Sequence, residues 1–389
     1  VRITVPIGTR PEVIKLALVV RALRSAGHVV RCIATGQHTD PRMAGHLFEA
    51  LDCPPDAVWE LSGTEGERVG RLLELAFKEL GEHRPDALLV LGDTYTAPLT
   101  AMAARRSGVG VIHLEAGLRS FNERSMEELN RRVMADLATL HLAPTEMAAS
   151  FLAADGVTAD RIRVVGNPVI DALVASGVAR VPFEQRRGVL ITAHRATNVD
   201  DPGRLAELVT LVRRLGVELG PVVFPVHPRT HARLEDAGLR ALLASAEGIE
   251  LRGPLPYEEL LVCLAGSRLV VTDSGGLQEE ASHFGVPAVV LRATTPRWES
   301  VESGAVRLTG LDAERALDAA RALSSRDELR RIDGLPCPYG SGNTAEQVVA
   351  ALADPAVQEI LSPAEPDLAG PPAALRAEQW ARQAWAVPA

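Results

Sequence analysis

The stretch Leu269-Val270-Val271-Thr272-Asp273-Ser274-Gly275-Gly276-Leu277-Gln278-Glu279-Glu280 runs from an apolar strand through a polar turn with two glycines into a helix. It reads as a phosphate seat. Two adjacent glycines let the backbone approach an anion, Ser274 adds a hydroxyl donor, and the free N–H groups of a first helical turn carry partial positive charge. Such a turn holds a diphosphate without a metal. Glu280 falls on roughly the same helix face as Gly275 or Gly276, where a carboxylate can accept from both hydroxyls of a ribose. A nucleotide sugar is the ligand this turn predicts. A serine and two glycines after a strand also make ordinary helix caps, so the case rests on the remainder of the chain.

Working outward, the same strand-to-helix rhythm recurs. Apolar runs at Ile3–Ile7, Val29–Ala34, Ala87–Leu91, Gly110–Leu114, Leu140–Ala143 and Arg163–Val165 alternate with helical patterns. A second series follows at Gly188–Thr192, Val222–Val226, Ile249–Leu251, Leu269–Val271 and Ala288–Leu291. Alternation of this kind predicts an α/β chain of two Rossmann-like, doubly wound domains facing a cleft, with ligands beyond the carboxyl ends of the strands. The expected division is 1–170 for the first domain, 171–187 for a hinge, 188–361 for the second domain, and 362–389 for a tail rich in Pro and Ala. The two domains are expected to close on a ligand.

Composition agrees with this reading and excludes others. At 389 residues the chain exceeds what one core usually serves, and 47% hydrophobic with only 4% aromatic residues suits buried parallel strands of Val, Leu and Ala. The net charge of −9 argues against a nucleic-acid or membrane-surface partner, so cations for a phosphate ligand must be placed individually. Cys32, Cys53, Cys263 and Cys337 lie far apart with no Cys-x-x-Cys pair, as in a reduced protein. The sequence starts directly in a strand, without a leader pattern, and no apolar run reaches membrane-spanning length, so a cytoplasmic location is expected.

Chemistry-bearing residues gather after the strands. The first half offers Gly8-Thr9-Arg10-Pro11-Glu12 with Lys15, then Gly92-Asp93-Thr94, then Glu115-Ala116-Gly117-Leu118-Arg119. Taken singly, Asp93 would pass for a helix cap and Glu115 for a helical partner of Arg119. Three strand ends bringing Arg10, Asp93 and Glu115 to one edge point instead to a site. Glu127 and Glu128, before Asn130-Arg131-Arg132, read from the residues alone as an ordinary charged helix face. In the second half Thr192-Ala193-His194-Arg195 sends a histidine toward the cleft. His227 and His231 have a metal-pair spacing, but Pro228 interrupts them and no Glu accompanies them, so no metal is expected. Gly340-Ser341-Gly342-Asn343-Thr344-Ala345 follows no strand and is not read as a dinucleotide loop.

In order and spacing these motifs resemble the non-hydrolysing UDP-N-acetylglucosamine 2-epimerases, over nearly the whole chain to about Leu361. The resemblance includes Ile14-Lys15, His113 to Arg119, Glu127-Glu128 with Asn130-Arg131, Thr192 to Arg195, Thr272 to Glu280, and Pro338-Tyr339-Gly340. It implies the two-domain fold of the retaining nucleotide-sugar glycosyltransferases (GT-B-like), a last helix crossing back onto the first domain, a homodimer, a UDP-sugar substrate and no cofactor. It also implies inversion at C2 by loss and return of UDP through 2-acetamidoglucal. By the same resemblance Asp93, Glu115, Glu127 and His194 share proton transfer and oxocarbenium stabilisation, with the face served by each acid left open. Arg10, Lys15, Ser274, Gly275, Gly276 and Arg297 match positions at the diphosphate, and Glu280 the ribose position.

Departures from the family pattern fall at Thr197, where a glutamate is usual, and at Thr294-Thr295-Pro296-Arg297-Trp298-Glu299, in place of Thr-Thr-Glu-Arg-Pro-Glu. Several phrases, among them Gln37-His38-Thr39-Asp40 and His194-Arg195-Ala196, resemble a subgroup acting on UDP-2,3-diacetamido-2,3-dideoxyglucuronic acid, which gives the alternative substrate. A glycosyltransferase of the same fold would use the same phosphate seat and is the alternative reaction. Gln37, His38 and Arg71 match an allosteric pocket found in members activated by their own substrate, with Asp40 replacing a polar residue.

Overall fold

The computed structural model describes residues 1–36, 48–49 and 51–362. Its first sheet is wholly parallel and contains β1 (Arg2–Ile7), β2 (Val29–Ala34), β3 (Ala57–Val58), β4 (Ala87–Leu91), β5 (Gly110–Leu114), β6 (Leu140–Ala143) and β7 (Ile162–Val164). Their order is β3-β2-β1-β4-β5-β6-β7. The second sheet, also parallel, contains β8 (Val189–Thr192), β9 (Val222–Pro225), β10 (Ile249–Arg252), β11 (Leu269–Thr272), β12 (Ala288–Val290) and β13 (Val306–Leu308), ordered β10-β9-β8-β11-β12-β13. The strands β3 and β13, two and three residues long, were not expected from the sequence, because such short edge strands show no alternation to read.

Both sheets reverse their winding direction at one place, between β1 and β4 in the first and between β8 and β11 in the second. At such a switch point the connections leave to opposite sides and open a crevice beyond the strand ends. The loops there are those singled out above: Gly8–Arg10 and Gly92–Thr94 in one sheet, Ala193–Arg195 and Asp273–Gly275 in the other.

Two segments join the halves. The helix Pro168–Ala175 packs on helices of both, and beyond it 176–187 forms no helix or strand. That stretch is anchored all the same. Arg186 is fully buried and donates to the carbonyls of Val181, Phe284 and Gly285. At the other end the helices Thr344–Ala353 and Pro355–Leu361 return to the first sheet. Ala345, Val348, Leu352, Val357 and Leu361 share one apolar cluster with Ile3, Val5 and Leu16. Asp171 starts this return by accepting from the backbone N–H groups of Thr344 and Ala345 at 3.0 and 2.8 Å. Gly110 accommodates it, since a Cβ there would lie 2.4 Å from the carbonyl oxygen of Leu361. The Gly340–Ala345 segment thus serves as a helix entry. Residues 363–389 lie outside the described residues.

Candidate active site

The first sheet contributes acids, two of which, Asp93 and Glu115, are each paired with a cation. After β4, Asp93 forms an ion pair with Arg131, and its carbonyl accepts from Asn130 at 2.8 Å. Burial alone would raise the Asp93 carboxyl, but Arg131, Arg297 and Lys15 outweigh it and hold it below the usual range. After β5, Glu115 takes a left-handed backbone conformation (φ 61°), which costs a non-glycine residue on the order of 1–3 kcal/mol. The surrounding structure fixes that turn. Gly117 packs so closely that a Cβ would lie 2.2 Å from the carbonyl oxygen of Ala148, and Lys15 Nζ sits 2.5 Å from Glu115 Oε1. The Glu115–Arg119 pairing that spacing permits does not form; Arg119 bonds Asp155 instead.

Two further carboxylates frame these loops. Glu12 is buried, with one oxygen accepting from Gly8 and Thr9 N–H at 2.6 and 2.8 Å and the other from the Thr94 hydroxyl at 2.8 Å. It therefore ties the loop after β1 to the loop carrying Asp93, and burial pushes its carboxyl up to about 7. Glu128, expected on a solvated helix face, is fully buried instead. It accepts from Ser120 N–H at 2.7 Å, Ser120 Oγ at 2.9 Å and Arg131 at 2.9 Å, so it both fixes the 119–121 loop and aims Arg131 at Asp93. Its neighbour Glu127 is only half buried and accepts from the Ser125 hydroxyl. Burial tends to raise Glu127, and that hydrogen bond brings it below the ordinary value.

The second sheet contributes the anion seat. Ser274 N–H donates to Thr272 Oγ1 at 2.9 Å, and Gln278 Nε2 to the Ser274 carbonyl at 2.9 Å. The helix Gly276–Phe284 begins at Gly275 without a side-chain cap among the described residues, and Ser274 to Leu277 line the cavity at this helix start. Arg297 is buried behind the seat, its Nε donating to Glu279 at 2.9 Å. Glu280 accepts from the Tyr257 hydroxyl at 2.9 Å, and burial raises it to about 7. Asp273, fully buried, accepts from the N–H groups of His194 and Arg195 at 3.0 and 2.9 Å and lies 3.2 Å from His194 Nδ1. It thereby aims the half-exposed His194 ring.

These parts enclose a cavity of about 360 Å³. Its walls bring together Lys15, Asp93 and Glu127 from one side with Ser274, Gly275, Gly276, Glu280 and Arg297 from the other. Glu115 stands behind Lys15, and His194 lies outside the lining. Arg10 is exposed at the start of its helix and does not line the cavity. Arg71 is exposed too and pairs with Glu74 at 2.7 Å; Gln37, His38 and Asp40 lie outside the described residues. His227 Nδ1 accepts from Arg229 N–H at 3.2 Å as the cap of the helix Pro228–Asp236. No cluster of metal-ligating side chains occurs among the described residues, and none of their helices is long and apolar enough to cross a membrane.

The sequence reading did not select Arg131, Arg195, Tyr257, Arg292, Asp273 or Glu279. Arg292 had a visible signal, since it directly follows the apolar run Ala288–Leu291. It lines the cavity, and no described residue forms an ion pair with it. Burial, together with the nearby Arg195, Arg297 and Arg131, lowers it to about 10. Next to the seat a clasp joins the halves. Trp298 Nε1 donates to the carbonyl of Arg119 at 2.8 Å, and Thr145 donates its hydroxyl to Glu299.

Paired doubly wound sheets with an acid-lined, cation-rich cavity between their switch points define a GT-B-like α/β protein. A profile described as UDP-N-acetylglucosamine 2-epimerase matches residues 21–353. The UDP-N-acetylglucosamine 2-epimerase of Methanocaldococcus jannaschii is 35% identical over 367 residues, covering 90% of this chain and 98% of the relative. The UDP-2,3-diacetamido-2,3-dideoxy-D-glucuronate 2-epimerase of Pseudomonas aeruginosa is 35% identical over 356 residues, covering 89% and 98%. The crystal structure of the M. jannaschii enzyme in complex with UDP-GlcNAc and UDP superposes with a TM-score of 0.80 at 34% identity, covering 91% of this chain and 99% of that one. The chain belongs to the UDP-N-acetylglucosamine 2-epimerase family, whose members are isomerases.

Proposed function

We propose that this protein interconverts UDP-N-acetylglucosamine and UDP-N-acetylmannosamine without hydrolysis, by eliminating UDP to 2-acetamidoglucal and adding it back. The observation that carries the proposal is the joining, in one cavity, of a cation-backed anion seat with carboxylates held beside it. Relatives that share the fold bind or act on UDP-N-acetylglucosamine by name. UDP lies on Ser274 to Gly276, with Lys15 and Arg297 at its diphosphate and Glu280 at its ribose, and the sugar reaches toward Asp93 and Glu127.

No carbonyl adjoins C2, so its hydrogen becomes acidic only as the C1–O bond breaks. The C2–H electron pair becomes the C1=C2 double bond, the C1–O pair leaves on UDP, and the proton passes to the acid set. Asp93, Glu115, Glu127 and His194 carry that exchange and stabilise positive charge at C1. Re-addition with a proton delivered to the other face inverts C2. Oxygen-18 placed in the C1–O–P bridge tests the bond cleavage. Scrambling into the non-bridging β-phosphate oxygens is expected, and a label that stays wholly in the bridge would exclude the path.

A second substrate reading, UDP-2,3-diacetamido-2,3-dideoxyglucuronic acid, is favoured by Arg292, a cavity guanidinium without a described carboxylate partner. The P. aeruginosa relative bears that activity by name. A uronate carboxylate on Arg292 would make Arg292→Ala lose the acid substrate far more than UDP-N-acetylglucosamine; equal losses for both would assign Arg292 to the diphosphate. The protein is further proposed to act in the cytoplasm as a homodimer, which sedimentation of the purified chain tests.

A further inference from the structure

Glu279 is fully buried in the helix that begins at the anion seat. One of its oxygens accepts from Arg297 Nε at 2.9 Å and from Asn167 Nδ2 at 3.0 Å. The other, Oε2, is buried and accepts no hydrogen bond from a described residue. An open oxygen on an enclosed carboxylate is costly, so a group normally stands ready to use it. Among the described residues Lys15 offers such a group, its Nζ lying 3.9 Å from Oε2 while bonded at 2.5 Å to Glu115. One ammonium thus sits between two carboxylates, one delivered by each sheet, bonded to the first and a short movement from the second. An ammonium carries three donors, and the lysine tip rotates freely enough to exchange partners. Burial works against the charge on Lys15, and Glu115 and Glu279 together outweigh it.

We propose that Glu279 is a positioning residue that takes over the Lys15 ammonium whenever Glu115 is protonated. The inference rests on the reading of Glu115 as a group that exchanges a proton with the sugar. When the C2 proton moves onto Glu115, that carboxyl becomes neutral, and Lys15 loses its anionic partner just as negative charge develops on the departing diphosphate. The open Oε2 of Glu279 then receives the ammonium, so Lys15 stays charged and stays beside the leaving group. The same carboxylate holds Arg297, so the diphosphate-facing cations of both sheets are referenced to a single group. A purely structural role for Glu279 would require only its Arg297 and Asn167 bonds.

Glu279→Gln separates the two roles, because a carboxamide keeps an oxygen for Arg297 and Asn167 and turns an N–H donor toward Lys15. Turnover, KM and UDP affinity are measured in the natural chain, Glu279→Gln, Glu279→Asp, Glu115→Gln and the Glu115→Gln/Glu279→Gln double variant. The expected result for Glu279→Gln is a kcat lowered at least about tenfold, the lower part of the range for a positioned ionisable group, with KM and UDP affinity within about threefold. Glu279→Asp, which keeps the charge, should recover part of that loss. In the Glu115→Gln background, where residue 115 is always neutral and Glu279 is the carboxylate left to Lys15, adding Glu279→Gln should lower kcat again by at least about tenfold and should now weaken UDP as well. An unchanged kcat in Glu279→Gln, a loss of less than about threefold on adding it to Glu115→Gln, or a loss in the natural background that tracks UDP affinity or melting temperature would overturn the inference. Near-normal turnover of Glu115→Gln alone would instead overturn the assignment of Glu115 beneath it.

Discussion

The two switch points solve opposite problems with the same topology. At the first, two acids are each paired with a cation, Asp93 with Arg131, which helps hold it below its usual range, and Glu115 with Lys15. At the second, the cavity-facing carboxylate Glu280 forms no ion pair with a described residue and is pushed up to about 7 by burial, while donors stand at the seat. Paired acids in an enclosed site suit proton exchange, and a glycine turn with unpaired N–H groups suits an anion. The division of labour between the halves therefore follows from what stands opposite each charge, since both sheets share one winding.

The largest effect expected from this contrast lies on the acid side. Asp93→Asn and Glu115→Gln, and His194→Ala across the cleft, should each lower turnover by about a hundredfold or more, with UDP binding retained. Assay of UDP-sugar interconversion checks this, and normal turnover in all three would remove the acid set from the chemistry. On the seat side, Arg297→Ala should weaken UDP by about 1.5–3 kcal/mol, the range for a hydrogen bond to a charged group. Calorimetric titration with UDP is the measurement, and an unchanged affinity would break the distinction between the halves.

A smaller effect concerns pH. Glu280 has its carboxyl raised to about 7 by burial, and its ionised form is the better acceptor for ribose hydroxyls. UDP should therefore bind more tightly above pH 7 and weaken as pH falls through about 7 toward 6. In Glu280→Gln that pH dependence should shrink to what the terminal phosphate of UDP, which titrates in the same range, contributes; if it persists unchanged, it arises elsewhere. The smallest effect belongs to the clasp. Trp298→Phe removes one hydrogen bond between the halves, about 0.5–1.5 kcal/mol, and should lower the melting temperature by a few degrees with kcat little altered.

Much of this contrast was legible in the sequence because each acid and the phosphate seat directly follow an apolar strand. Asp93, Glu115 and Ser274 are visible on that ground, and Glu280 by its place on the helix face above Gly275 and Gly276. Glu279 and Glu128 were not, because a charged residue in a helix reads as solvated until its partners are known, and Asp273, although it follows a strand, shows its role only through the partners it holds. Those partners come from remote chain segments: Asn198 reaches Asp273 across 75 positions, and Asn167 reaches Glu279 across 112. The loss of periodicity at 176–187 marked the connection between sheets, but the burial of Arg186 there depends on carbonyls about a hundred residues later. The last helices gave no sign in their own pattern of which sheet they cover; Asp171 and Gly110 settle that by capping and by making room.

The claim that the first half exchanges a proton at C2 while the second holds UDP is tested most directly in heavy water. UDP-N-acetylglucosamine is incubated with the protein in deuterium oxide, and C2 of both sugar epimers is followed by proton NMR and mass spectrometry. The account predicts one deuterium at C2 of every molecule that has been inverted. Inverted product that retains its C2 protium, or transfer of the sugar to an acceptor without exchange, would contradict it.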